Sequence, residues 1–194
     1  MRKIVLPVSL SLDGCFEGPD GGLDWHMVDD ELHTHFNEQL RGLSAFLMGR
    51  VNYELMSRVW PNADADPASS GPEAEFAGIW RETPKIVFSR TLERADDPET
   101  TVEREVDPAR IRELKRGPGG DMSIGGSVLA EAFRRHDLID EYRVYVHPVI
   151  LGGGRPFFEP SDARTPLALA GTRTFGNGVV LLHYTRTAPG RAVL

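Results

Sequence analysis

Hydrophobic residues along this chain recur with two spacings, one alternating and one close to every fourth position, and the changes between them mark out the elements. Apolar and β-branched residues run from 4 to 12 and stop at Asp13-Gly14, which predicts a strand closed by a turn. Residues 18–22 are a glycine-, proline- and aspartate-rich loop. Asp29 is placed to cap a helix in which Leu32, Phe36, Leu40 and Leu43 fall on one side, with Gly42 near its end. Residues 45–48 predict a short strand, and Gly49-Arg50 opens a second helix through Leu55 and Met56. The small, acidic stretch 62–71 reads as a surface loop. Pro72 then suits the first position of a helix striped by Phe76, Ile79 and Trp80.

The second half repeats the alternation of strand and helix. Residues 85–88 predict a strand that runs into Ser89-Arg90-Thr91, and 101–106 alternate like another. Asp107-Pro108 starts a helix with Ile111 and Leu114 inside and Gly117 at its end. A strand at 121–124 leads to Gly125-Gly126-Ser127. The helix that follows, to His136, is expected to bury Val128, Leu129, Ala132 and Phe133. The longest strand signal, 141–151, ends in Gly152-Gly153-Gly154. Strands at 167–175 and 179–186 form a hairpin turned at Gly176-Asn177-Gly178. Such a succession predicts an α/β fold on a mostly parallel sheet with an antiparallel C-terminal hairpin at its edge. At 194 residues the chain reads as one domain, 1–188, with a short tail at 189–194.

Composition narrows the function. With a formal net charge of −7, the chain lacks the basic face that displaces counterions from a duplex, so nucleic acid is not an expected partner. Arg134-Arg135 and the basic residues of 110–116 read as solvated helix faces. One cysteine, Cys15, excludes an intrachain disulfide and a cysteine-rich zinc site. No apolar run approaches the ~18 residues of a membrane span. The N-terminal apolar stretch is broken by Pro7, Ser9, Ser11 and Asp13, as in a strand rather than a signal peptide. A cytoplasmic location and no membrane partner follow as expectations.

Candidate chemistry sits at three turns. In an open α/β sheet, ligands gather at the carboxyl ends of strands, where helix N-termini present free N–H groups. Gly125-Gly126-Ser127 lets backbone approach a pyrophosphate, or is simply a tight strand-to-helix turn. Gly49-Arg50 adds a guanidinium suited to phosphate, or a surface arginine. Ser89-Arg90-Thr91 suits the 2′-phosphate that distinguishes NADPH from NADH, or is a polar turn. His33 and His35 are two apart on a helix, so both imidazoles do not readily reach one metal ion, and no metal is expected. Neither a nucleophile elbow nor a zinc-deaminase signature is present.

These residues also carry a family resemblance. SLDG at 11–14, GRVNYE at 49–54, VFSRTL at 87–92, IGGSVL at 124–129 and HPVILGGGRPFF at 147–158 follow the order of the reductase domain of riboflavin-biosynthesis proteins, the RibD C-terminal-like family. That domain is similar in fold to dihydrofolate reductase. The resemblance runs from Lys3 to about Arg186. It implies a dihydrofolate reductase-like, three-layer α/β/α fold around an eight-stranded sheet, NADPH as hydride donor, and commonly a homodimer. By position it assigns Gly49, Arg50, Asn52, Ser89, Arg90, Thr91, Gly125, Gly126, Ser127, Val128 and Leu129 to the cofactor. Asn52 stands where the family often has threonine, and still donates a hydrogen bond.

On the substrate side, Trp25 and Asp30 match the tryptophan and acid of dihydrofolate reductase. A carboxylate in an apolar cleft has a raised pKa suited to proton transfer, whereas an acid at a helix start is often only a cap. Asp13 is a competing substrate contact. Gly153 in its glycine run either lines the cleft or lets the chain bulge. The expected activity is reduction of a small heterocyclic or carbonyl substrate by NADPH, similar to 5-amino-6-(5-phosphoribosylamino)uracil reductase. Two alternatives stand beside it: a non-catalytic nucleotide-binding module, or a dihydrofolate reductase.

Overall fold

A computed structural model describes residues 1–65, 71–161 and 164–187. In chain order its elements are β1 (Ile4–Leu10), β2 (Cys15–Glu17), α1 (Asp30–Leu40), β3 (Ala45–Gly49), α2 (Arg50–Val59), α3 (Pro72–Glu82), β4 (Lys85–Phe88) and β5 (Thr100–Glu103). Then come α4 (Pro108–Arg116), β6 (Met122–Gly125), α5 (Ser127–Arg135), β7 (Glu141–Val146), β8 (Arg155–Pro156), β9 (Leu167–Thr174) and β10 (Val180–Arg186). Eight strands form one sheet in the order β5-β4-β3-β6-β1-β7-β10-β9. The first six are parallel, and β10 runs antiparallel to both β7 and β9.

The central strands are apolar on both faces because helices cover both. One face carries Leu6, Leu47 and Ile124 against Ile111 of α4 and Ala130 and Phe133 of α5. The other carries Phe46, Met48 and Val87 against Tyr53 of α2 and Phe76 and Trp80 of α3. Leu32 of α1 packs with Tyr145, Phe175 and Val179. Each such side chain, fully buried, contributes about 1.5–3 kcal/mol to the folded state. Three layers result, as expected. Among the described residues no helix is long and apolar enough to cross a membrane.

Local chemistry places the helix starts. The Asp29 carboxylate accepts the Leu32 N–H at 3.0 Å at the head of α1, and Asp107 accepts the Ala109 N–H at 2.8 Å at the head of α4.

Four expectations need correction. The strand at 141–151 ends at Val146, because the backbone then leaves the sheet and the Val149 N–H turns back onto the His147 carbonyl at 2.8 Å. The strand at 101–106 stops at Glu103. In α5 the inward face is Leu129, Ala130 and Phe133, so Val128 is 70% exposed and Ala132 only half-buried. A second, two-stranded sheet of β2 and β8 was not anticipated. A 3₁₀ turn at 60–62 leads into the loop expected at 62–71, of which 66–70 lie outside the described residues, as does the tail at 189–194.

Sheet order creates the crevice. β3 and β6 are neighbours, yet the chain leaves β3 through α2 and α3 toward β4, and leaves β6 through α5 in the opposite direction toward β7. A sheet opens to ligands at such a reversal.

Candidate functional site

Registry brings the three turns together. Gly49 pairs with Phe88, and Met48 with Gly125, so the segments that begin at Gly49, Ser89 and Gly125 leave adjacent strands at one edge. Unlike α1 and α4, neither α2 nor α5 has a side-chain cap: their N-cap residues are Gly49 and Gly126. First-turn N–H groups at both helix starts are therefore left for an external acceptor. Gly126 takes φ +100°, open to glycine at little cost, and a methyl on Gly125 would overlap the Asn52 amide. Backbone and helix starts are as close here as side chains allow.

Around this cradle the cations differ. Arg50 reaches both oxygens of Glu54, at 2.9 and 3.0 Å, while remaining partly exposed. Arg90 is exposed, with no ion-pair partner among the described residues. Ser89 is buried, and its hydroxyl accepts the N–H groups of Thr91 at 3.2 Å and Leu92 at 2.9 Å. That hydroxyl thus shapes the turn and holds Arg90 and Thr91 outward. Arg104, which the sequence did not single out, clamps the same turn through the carbonyls of Ser89 and Leu92. Leu129 packs beneath Gly49, Ser127 starts α5, and Val128 stands exposed in its first turn, as Val51 does in that of α2.

A cavity of about 250 Å³ lies between α1 and the sheet. His33 and Phe36 of α1, Trp60, Ser9 of β1, and Arg143 and Tyr145 of β7 are among its walls. Burial pushes the His33 imidazole below its ordinary pKa and the Tyr145 phenol up to about 12, so both are neutral near pH 7. The Tyr145 hydroxyl lies 3.1 Å from His35 Nε2, and Arg173 approaches His35 Nδ1 at 3.2 Å. A guanidinium only donates, so Nδ1 accepts and the His35 proton sits on Nε2, directed at Tyr145. His33 and His35 thus face different neighbours, Trp60 and Phe76 for one and Tyr145 for the other.

The expected substrate residues are scattered. Asp30 is exposed in the first turn of α1 and is not part of the cavity wall, so it does not sit in the apolar cleft expected of it. Among the described residues no carboxylate lines the cavity. Asp13 accepts the N–H groups of Leu151 at 3.1 Å and Gly152 at 3.0 Å. Hydrogen bonds from Ser11 and from that loop hold its carboxyl below the usual range, which suits a clamp and not a proton donor. In the glycine run, Gly154 has φ +122° and sits against the Glu17 carbonyl where a methyl would overlap it, and Gly153 lies in ordinary contact with Pro19. The run therefore allows β8 to dock on β2.

Trp25 is found in a cluster that sequence reasoning missed. Its ring lies 4.1 Å from His26 and 5.4 Å from His147, centre to centre, and the two imidazoles stack at 5.4 Å. His147 is fully buried, and its Nδ1 accepts the Met27 N–H at 3.2 Å. Burial lowers the pKa of His26 and takes that of His147 to about 4. A histidine after a strand is a weak signal in sequence. Only the return of the 18–29 loop over β7 gives it neighbours.

Comparison with known proteins agrees with this architecture. The family described as RibD C-terminal domain matches residues 2–181. The uncharacterized protein YyaP of Bacillus subtilis (strain 168) is 34% identical over 185 residues, covering 94% of each chain. Among solved structures, the diaminohydroxyphosphoribosylaminopyrimidine deaminase/5-amino-6-(5-phosphoribosylamino)uracil reductase of Thermotoga maritima is similar with a TM-score of 0.66 and 18% identity. The match covers 96% of this chain and 57% of that one. Dihydrofolate reductase from Enterococcus faecalis, complexed with NADP(H), is similar with a TM-score of 0.62 and 15% identity, over 96% of this chain and 97% of that one.

Proposed function

Because the chain belongs to the RibD C-terminal domain family, we propose that it is a reductase that delivers hydride from NADPH to a small heterocyclic or carbonyl substrate. The observation that carries this reading is the pair of helix starts without side-chain caps, side by side at the β3–β6 reversal, with Arg50 and Arg90 flanking them. The residues present fit a dinucleotide. The N–H groups that open α2 and α5 would take the pyrophosphate, and Arg90 with Thr91 the 2′-phosphate. Arg50, Asn52 and Ser127 would complete the polar contacts, with Val128 against a ring.

Bound there, NADPH supplies the hydride, and the protein's share is orientation and exclusion of water. The cavity beneath α1 opens along the same sheet and is mainly apolar, as a flat heterocycle requires. A uracil reductase, like the second activity in the Thermotoga protein's name, is the nearest named chemistry. Membership also supports a homodimer, for which the β9 edge with its exposed Leu169 is a suitable surface, and a cytoplasmic setting.

One observation favours a second reading, a nucleotide-binding module without catalysis: among the described residues no carboxylate lines the cavity. NADPH titration followed by loss of its absorbance with a panel of uracils, pterins and quinones separates the two. Binding with turnover supports the reductase. Binding without turnover across the panel supports the module, and no NADPH binding overturns both.

A further inference from the structure

α1 runs down the sheet from its carboxyl edge, and the cavity follows it. The Met27 N–H, just before α1, bonds His147, just after β7; the Ser44 N–H, after α1, bonds the Asp121 carbonyl, just before β6. Val5, Pro7 and Ser9 of β1 share one wall, and His33, Phe36 and Leu40, neighbours on one face of α1, form the wall across from it. Seven residues of helix span about 10 Å, so the space is a slot. Its two ends differ. Ser9, His33 and Tyr145 stand at the carboxyl end, toward the edge where Gly49 and Gly125 leave their strands. Val5, Leu40 and Leu43 close the far end, with Ser123 beside them.

Charge in the wall is already matched. Arg143 is the cation that lines the slot among the described residues. One of its terminal nitrogens donates to Gln39 Oε1 at 2.5 Å and the other to Glu141 Oε2 at 3.0 Å. Gln39 is itself in the wall, and Glu141 is only 5% exposed. Burial would raise the Glu141 pKa, but hydrogen bonds from Lys3 and Arg143 outweigh it and keep the carboxylate ionised. His33 is neutral. An anion in the slot would have to displace Gln39 or Glu141, or lie there without a counter-charge, and both are strongly disfavoured.

We infer that the substrate is an uncharged carbonyl compound, a flat ring whose apolar chain runs down the slot beneath α1, and that Gln39 and Glu141 set this choice by occupying Arg143. The carbonyl belongs at the Ser9 end, where hydroxyls can donate to it, and the chain at the Val5 end. A phosphoribosyl group, as in the name of the Thermotoga activity, meets no free cation among the described residues of this slot. The inference rests on the reductase reading, since the carbonyl end is the one toward the proposed cofactor.

Calorimetric titration without cofactor tests it with three ligands: 4-butylacetophenone, acetophenone, and 4-(4-acetylphenyl)butanoate, which ends a similar chain in a carboxylate. 4-Butylacetophenone is expected to bind about tenfold or more tighter than acetophenone, and about a hundredfold or more tighter than the butanoate. Gln39→Ala frees one arginine nitrogen at a half-buried helix position. It is expected to narrow the second gap about tenfold by strengthening the butanoate, while 4-butylacetophenone keeps its affinity. The parent series stands without the variant. The inference is overturned if the parent does not bind 4-butylacetophenone, if acetophenone or the butanoate binds as tightly, or if Gln39→Ala leaves the gap unchanged. Chain-dependent ketone binding in a protein that does not bind NADPH supports the slot and sinks the reductase. NADPH turnover confined to phosphorylated or carboxylated carbonyl compounds does the reverse.

Discussion

Asn52 and Gly125 meet where the first turn of α2 passes the end of β6, so closely that a methyl on Gly125 would overlap the Asn52 amide. The overlapping group is the far end of a rotatable side chain, so the fold can yield by turning Asn52 aside. Gly125→Ala is therefore expected to cost about 1 kcal/mol of stability or less. The added methyl and displaced amide would both intrude on the proposed pyrophosphate position. NADPH affinity is expected to fall about tenfold or more, and calorimetric titration beside thermal melting checks the separation. A variant that melts with the parent and binds NADPH equally well would remove Gly125 from the cradle.

Gly154 presents the opposite case. A methyl there would overlap the Glu17 backbone carbonyl, which has no rotamer to change, and the residue also sits at φ +122°. Gly154→Ala is expected to destabilise by about 2–4 kcal/mol, whereas Gly153→Ala, in ordinary contact with Pro19, should stay within about 1 kcal/mol. Urea midpoints of the two variants test the contrast.

These two glycines also show how far the sequence reached. Long periodic segments such as α1 and the β9–β10 hairpin could be read because many residues repeat one signal. So could the three turns, since each glycine or cation stood directly after a strand pattern. β2 and β8 have three and two residues, too few for any period to show. Val128 and Ala132 were expected inside where the structure buries Ala130, because rotation about a short helix is set by what it packs on, not by its own composition. Asp30 looked suited to acid chemistry because its sequence distance from Trp25 was right, but distance along a chain does not specify burial. His147 acquires its significance only from a loop some 120 positions earlier.

Arg90 is exposed and unpaired among the described residues, while Arg50 already has Glu54 as a partner. Arg90→Ala is expected to raise the NADPH dissociation constant by about tenfold or more and to leave that for NADH nearly unchanged. The ratio of the two constants is the measurement. If it does not move, the 2′-phosphate is held elsewhere.

Asp30 stands in solvent at the positive end of α1. Asp30→Asn is expected to lose about 0.3–1 kcal/mol of stability through the helix dipole and to retain most turnover with an unaltered pH profile. Abolition of turnover at full NADPH affinity would instead assign Asp30 a direct part in proton transfer.

Acid should loosen the edge before it unfolds the sheet. The His147 imidazole has a folded pKa of about 4 against 6.5 for the free side chain. Between those values the unfolded chain binds a proton that the folded chain excludes, so stability rises with pH across that window. The contribution is complete above about pH 6.5, drains as pH falls, and is gone below about 4. The slope from this one group approaches about 1.4 kcal/mol per pH unit. His26, stacked on His147, and His33 and His35 are lowered by burial as well, so they add with the same sign. Carboxylates held down by cationic partners, such as Glu141 beside Lys3 and Arg143, lose their contribution only as pH falls below the ordinary carboxylate range. Two windows result. Urea midpoints should be level from pH 8 to 7, decline from about 6.5 toward 4, and steepen below. Replacing His147 by Phe should lower the midpoint at pH 7 by orphaning the Met27 N–H, yet flatten the decline between pH 6.5 and 4. If parent and variant declined in parallel, the buried imidazole would not be the group that links folding to protons.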